Sequence, residues 1–264
     1  MGCCGSSEVD ETPSPRPQGQ TQAGVPLANL TQGSDREDIL QEDTRRAFLN
    51  VLHASFGSTP YLVIGGSALA EHGSKRTTKD VDVIIGGGLS KRSALDLLQE
   101  GSGGSLVKRA HGTMVYITPE GREYPLDISP DNDVDLPFDY TDAQRIHGVQ
   151  IATLPFLLNS KARAWATRMH IEQNYTSKRL NDTLDISWCL RRIAERRVQV
   201  DRSRLTWVYT SAFWPGFVLA NPNTEPLWRA AGLWTDERDF PSSGAGSSRS
   251  QFSSRVSSFG SAGG

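Results

Sequence analysis

Asp80 and Asp82 lie in the stretch KDVDVII. Side chains of a strand alternate between its faces, so two carboxylates two residues apart share one side. Val81, Val83 and Ile85 then share the other. Like charges placed side by side repel, and a divalent cation relieves the conflict. Asp127, in YPLDISP, is a third carboxylate with strand-like neighbours, Leu126 and Ile128, on its opposite face. If the two strands are adjacent, three acids converge. Hard oxygen ligands of this kind suit Mg²⁺ or Mn²⁺, which keep waters and complete their shell from substrate phosphates. Two such ions about 4 Å apart can clamp an in-line phosphoryl displacement, and one carboxylate can accept the proton of an attacking hydroxyl. Upstream, Gly65-Gly66-Ser67 closes the apolar run YLVI and opens SALAEHG. Glycines there let a ligand approach the backbone, and the start of a helix offers free N–H groups to phosphate. A glycine that serves only the geometry of the turn is the plainer reading of the same letters.

The elements that must position these residues can be read from pattern. SDRE at 34–37 has the form of a capping box. Leu40, Ala47, Phe48, Val51, Leu52 and Phe56 follow on one helical face, with Gly57 and Pro60 as the stop. YLVI and DVII read as strands, SALAEHG and SKRSALDLLQE as helices. SLVKRA, TMVYIT and REYPLDIS are strand-like, and Pro125 marks the last as an edge strand or a bulged one. Residues 130–142 read as an acidic loop and GVQIA as a further strand. From Pro155 the period becomes helical, through PFLLNSKARAWATRM, SKRLNDTLDISWCLRRIAE and a third stretch near 201–213. Trp207, Trp214, Trp228 and Trp234 are expected to cap the domain. The fold class is therefore α/β (α+β): a mixed sheet with flanking helices, then a helical half.

The composition sets limits. Among 264 residues, 28 Lys and Arg oppose 30 Asp and Glu. That balance argues against a general nucleic-acid coat. Residues 161–206 carry 11 basic and 5 acidic residues, a local excess that suits either phosphate or solvated helix faces. The three cysteines, Cys3, Cys4 and Cys189, form no disulfide framework within the domain, which fits a reducing compartment. Asp131-Asn132-Asp133-Val134-Asp135 has the acids of a calcium loop, but Leu136 stands where its glycine belongs.

The spacing of G-G-S and of R-x-T-x-D-x-D, at Arg76, Thr78, Asp80 and Asp82, resembles the nucleotidyltransferase superfamily shared with DNA polymerase β. Asp127 stands where that superfamily has its third carboxylate. Within it the chain looks most like the AbiEii-like type IV toxin nucleotidyltransferases. Lys161, Ala164 and Arg168 match that group's K-x-x-A-x-x-x-R helix, and Asp182 and Asp185 its K-D-x-x-D helix. Asn181 departs from the pattern, standing where the group has lysine. The resemblance spans roughly residues 36–195.

It implies a Mg²⁺-dependent (or Mn²⁺-dependent) transferase that moves a nucleoside monophosphate from a nucleoside triphosphate to an acceptor hydroxyl on a protein, a tRNA or a small molecule. Asp80, Asp82 and Asp127 would hold metal and, with Lys161 and Asp182, carry catalysis. Gly65, Gly66, Ser67, Arg76, Thr78 and Arg168 would bind the nucleotide. The alternative is a catalytically silent domain of the same fold, acting as a membrane-tethered nucleotide sensor or binding module.

Domain boundaries follow from composition. Residues 1–33 and 241–264 are poor in large apolar side chains and are expected to be disordered. They would flank a core at 34–153 and a helical subdomain at 154–240. The start, MGCCGSS, fits N-myristoylation at Gly2 with palmitoylation at Cys3 and Cys4. Since one acyl chain holds a protein only marginally, that pairing would place the chain at the cytoplasmic face of a membrane in a eukaryotic host.

Overall fold

The computed structural model describes residues 39–168 and 176–236, and those residues fall within one compact unit beginning at Asp38. The capping box at 34–37 and the lipidation residues Gly2, Cys3 and Cys4 lie outside them, as do the two terminal segments.

Seven strands form one sheet: β1 (Tyr61–Ile64), β2 (Val81–Ile85), β3 (Leu106–Lys108), β4 (Met114–Ile117), β5 (Glu123–Pro130), β6 (Ala143–Ile146) and β7 (Val149–Ala152). Their order is β3-β4-β5-β2-β1-β7-β6. Only the β2–β5 and β1–β7 pairs are parallel. The apolar runs YLVI and VDVII occupy the middle of the sheet, where both faces are covered and continuous hydrophobic strands belong. β5 shows clean alternation: Tyr124, Leu126 and Ile128 are buried, while Glu123, Pro125 and Asp127 are exposed.

One face packs on α1 (Glu42–Phe56) and α3 (Lys91–Gly101). Phe48 stacks on Tyr116 at 4.6 Å and Phe56 on Tyr61 at 4.8 Å, pairs that add about 0.5–1.5 kcal/mol each beyond their buried area. The opposite face bears Asp82 and Asp127. α2 (Gly65–Glu71) packs against β1 and β2 and also against α4 (Leu154–Thr167), whose main partner is α5 (Thr176–Arg196). α6 (Trp214–Ala220) and α7 (Glu225–Ala230) are the last helices among the described residues. Their Trp214, Phe217 and Trp228 join Phe213 and Trp165 of α4 in one aromatic cluster. Among the described residues no helix is long and apolar enough to cross a membrane.

Several expectations are corrected. α1 begins at Glu42, after an extended Gln41. Leu40 is buried but lies outside the helix, because its N–H donates to the Thr78 carbonyl at 2.9 Å. Pro125 marks neither an edge strand nor a bulge. It sits opposite Val115 in an unbroken register, and pairing with β2 starts only at Leu126, so its missing N–H falls beyond that ladder. β6 was not anticipated. It closes a hairpin with β7 through His147 and Gly148, both at positive φ, the conformation of a two-residue type I′ turn. The stretch 201–213 is not an α-helix. It holds a short 3₁₀ turn at Arg202–Arg204, and the last helices start at Trp214 and Glu225.

Candidate active site

The parallel ladder between β2 and β5 sets Asp82 directly beside Asp127. Asp80 stands in a bend one residue before β2, so the three carboxylates of the sequence pattern reach one region. Their environments differ. Asp127 is 68% exposed and receives Lys91 Nζ at 3.4 Å. Asp80 accepts from the Thr78 hydroxyl at 3.0 Å. Asp82 packs under α2, and its carboxyl is pushed up to about 7, first by burial and then by the charge of Asp80. Lys161 opposes that shift, Asp127 adds to it, and Arg76 opposes it.

The glycine pair is explained by this packing. Gly65 has φ +66°, and a Cβ there would lie 1.9 Å from Asp82 Oδ2. A Cβ on Gly66 would lie 2.6 Å from the Thr78 hydroxyl. The Ser67 hydroxyl is buried and donates to the Asp80 carbonyl at 2.7 Å. Gly65, Gly66, Ser67 and Thr78 thus shape the acidic turn from behind. α2 itself spans only seven residues.

A second group of charges meets the first. Lys161 of α4 is buried, with Nζ 2.8 Å from Asp185 Oδ2 and 3.6 Å from Asp182 Oδ1 of α5. Arg76 also pairs with Asp185, and Arg168 with Asp182. Asp182 and Asp185 are three apart on one helix, which puts both on one face. Within the basic stretch 161–206, Lys161 and Asp182 are therefore not on a solvated helix face. Three cations share two buried carboxylates, an arrangement that keeps each charge compensated in a desolvated place.

Between the two groups lies a cleft of about 160 Å³, lined by Gly65, Asp82, Asp127, Lys161, Arg163 and Arg168, among others. Asp185 and Arg163 are the residues that the sequence pattern did not place in the site. The three-residue spacing from Asp182 was the signal for Asp185. Arg163 carried none: its guanidinium lies 5.8 Å from the Trp207 ring centre, and its buried Nε has no hydrogen-bond partner. Asn181 and Lys178 are exposed, while Arg179 lies over Trp165 at 4.5 Å.

His72, buried, stands 2.7 Å from the Ala152 carbonyl through Nε2, and burial foremost holds its pKa below the usual value. That is a structural histidine. Cys189 is buried and its thiol pKa is raised, chiefly by burial.

The donor set suits a hard divalent cation. Asp82 is half-buried beside like charge, and carboxylate oxygen is the ligand such ions take. Among the described residues, however, no three His, Cys, Asp or Glu side chains are gathered tightly enough to hold an ion by themselves. Substrate oxygens would have to supply part of any such shell.

No protein-family model matches the sequence, and no curated protein matches it. Two solved structures from Helicobacter pylori are similar to parts of the chain. JHP933 aligns over 72% of this chain and 81% of its own, at 13% identity and a TM-score of 0.45. A candidate nucleotidyltransferase aligns over 74% of this chain and 95% of its own, at 15% identity and a TM-score of 0.37.

Proposed function

We propose that the chain is a metal-dependent nucleotidyltransferase, transferring a nucleoside monophosphate from a nucleoside triphosphate to an acceptor hydroxyl. The observation that carries this reading is the side-by-side placement of Asp82 and Asp127 in a cleft that Lys161, Arg163 and Arg168 also line. Acids and bases on facing walls suit a triphosphate whose charge must be neutralised while one oxygen is deprotonated.

The roles follow from position. Asp80 and Asp82 would hold Mg²⁺, which, when bound, neutralises the triphosphate and relieves the repulsion around Asp82. Asp127, the most exposed of the three acids, is the group placed to accept the acceptor proton once Lys91 leaves it. The acceptor oxygen bonds to the α-phosphorus, the bond from that phosphorus to the bridging oxygen breaks, and pyrophosphate leaves. Lys161, Arg163 and Arg168 stabilise the charge that develops on the phosphates. Asp182 and Asp185 act on Lys161, Arg168 and Arg76 rather than on substrate: they fix those cations in place beforehand, so no reorganisation is needed during the reaction.

The test is transfer of label from each α-labelled triphosphate, with Mg²⁺ and protein, RNA and small-molecule acceptors, beside an Asp80→Ala/Asp82→Ala double variant. Transfer by the native chain and none by the variant is expected. Nucleotide binding with no transfer to any acceptor would favour the silent sensor instead, and transfer surviving in the variant would refute the metal-dependent mechanism.

A further inference from the structure

A second groove, of about 530 Å³, meets the candidate active site at Asp127. Its walls carry Lys91 and Arg92 from the start of α3 and Lys108 from the end of β3, over a floor that includes Leu95 and Leu126. We propose that this groove is the acceptor subsite, built for an acceptor that carries phosphate beside its reacting hydroxyl. The inference rests on the transferase reading and assigns the part of the site which that reading leaves open.

Three observations support it. The first is position: Asp127 lines both the groove and the cleft, so a hydroxyl brought along the groove arrives at the carboxylate that accepts its proton. The second is the placement of the cations. Lys91 and Arg92 open α3, whose first turn holds no acid. A helix start favours negative charge, so two cations there work against helix stability and need another reason. The third is availability. Arg92 has no ion-pair partner among the described residues. Lys91 reaches Asp127 only at 3.4 Å and Lys108 reaches Asp96 only at 3.3 Å, and the side chains of all four are a third or more exposed. Such pairs are weak and exchange readily for phosphate oxygens. A phosphate that takes Lys91 also releases Asp127, so acceptor binding and readiness of the base become one event.

The experiment measures binding of two probes, a short labelled single-stranded RNA and ribose 5-phosphate, to the full chain and to a Lys91→Gln/Arg92→Gln/Lys108→Gln variant. An Arg229→Gln variant on α7 serves as control, and binding of a labelled nucleoside triphosphate is followed in parallel. At least one probe should bind the native chain and lose roughly tenfold or more in affinity in the triple variant, with triphosphate binding and the circular dichroism spectrum unchanged. For the RNA, the dependence of log affinity on log salt should become shallower by about 2, since each phosphate contact to a single strand contributes roughly 0.7. Which probe binds decides between a nucleic-acid end and a small phosphorylated compound. No binding of either probe, or an equal loss in the Arg229→Gln control, would overturn the proposal. The Asp80→Ala/Asp82→Ala variant should bind the probe as the native chain does. Failure of the transferase reading would therefore appear as absent transfer with groove binding intact.

Discussion

Lys161 of α4 and Asp185 of α5 meet at 2.8 Å with both side chains almost fully buried, and Lys161 also lines the cleft with Asp82 and Asp127, which brings this helix pair to the acidic end of the sheet. The pair is not isolated. Asp185 also holds Arg76 and Asp182 holds Arg168, so removal of each member leaves a different remainder. Asp185→Leu leaves Lys161 with only the longer contact to Asp182 and strips Arg76 of its carboxylate. A loss of about 3–5 kcal/mol is expected, the cost of an uncompensated buried charge. Lys161→Met leaves each acid with an arginine, so a smaller loss is expected, below about 3 kcal/mol. Both should abolish transfer. Urea denaturation of the two variants checks the order, and equal losses would show that the network does not share charge in this way.

Asp82 links function to stability with a definite sign. Its carboxyl rises from 3.8 to about 7 on folding, so between those values the folded chain holds the proton more tightly than the unfolded one. The metal-free protein therefore loses stability as pH climbs from about 4 to above 7. The full difference is on the order of 4 kcal/mol, because each tenfold change in proton affinity is worth about 1.4 kcal/mol. Asp82→Asn imitates the protonated acid. In urea titrations the variant should match the native chain near pH 4, exceed it in stability at pH 8, and lack transfer activity. A variant less stable than the native chain at pH 8 would contradict the charge conflict at this site.

Much of this arrangement was legible in the sequence because strand alternation is strict. Asp82 and Asp127 each sit between apolar neighbours, so their shared face follows once their strands pair. That β2 and β5 would be adjacent and parallel depended on long-range pairing, which no local pattern carries. The buried state of Lys161 was hidden for the same reason: a charge-rich helix looks solvated until the carboxylates that enclose it are known to pack there. β6 escaped because AQRI is half exposed and polar, with no apolar run to signal it. Pro125 misled because the usual edge-strand rule is satisfied here by the end of a neighbouring strand.

Gly65 offers a sharper test of the site's geometry. Gly88 shares its left-handed backbone, at φ +71°, but a Cβ there would meet nothing within 4 Å. Gly88→Ala should thus cost only the conformational strain, about 1–2 kcal/mol. Gly65→Ala adds a collision with Asp82, whose Oδ2 would lie 1.9 Å from the new Cβ. A further loss of about 1–3 kcal/mol is expected from overpacking. Thermal melts of the two variants give the difference. Similar losses would mean that Asp82 does not occupy the space above Gly65.

The C-terminal aromatic residues bear on the site through α4, the helix that carries Lys161. Trp165 meets Phe213 at 5.6 Å and Phe217 at 5.2 Å, and Trp228 closes the cluster against Trp214 at 4.9 Å. The Trp228 indole N–H is buried with no hydrogen-bond partner, so its ring contributes packing and loses the hydration of one donor. Trp228→Phe keeps most of the packing and removes the orphaned donor, so a change below about 1.5 kcal/mol is expected. Trp228→Ala opens a cavity and should cost about 3–5 kcal/mol. If the cluster braces α4, the alanine variant should also lose transfer activity at temperatures where it remains folded, while the phenylalanine variant retains it. An alanine variant that is destabilised but fully active would separate the aromatic cluster from the positioning of Lys161.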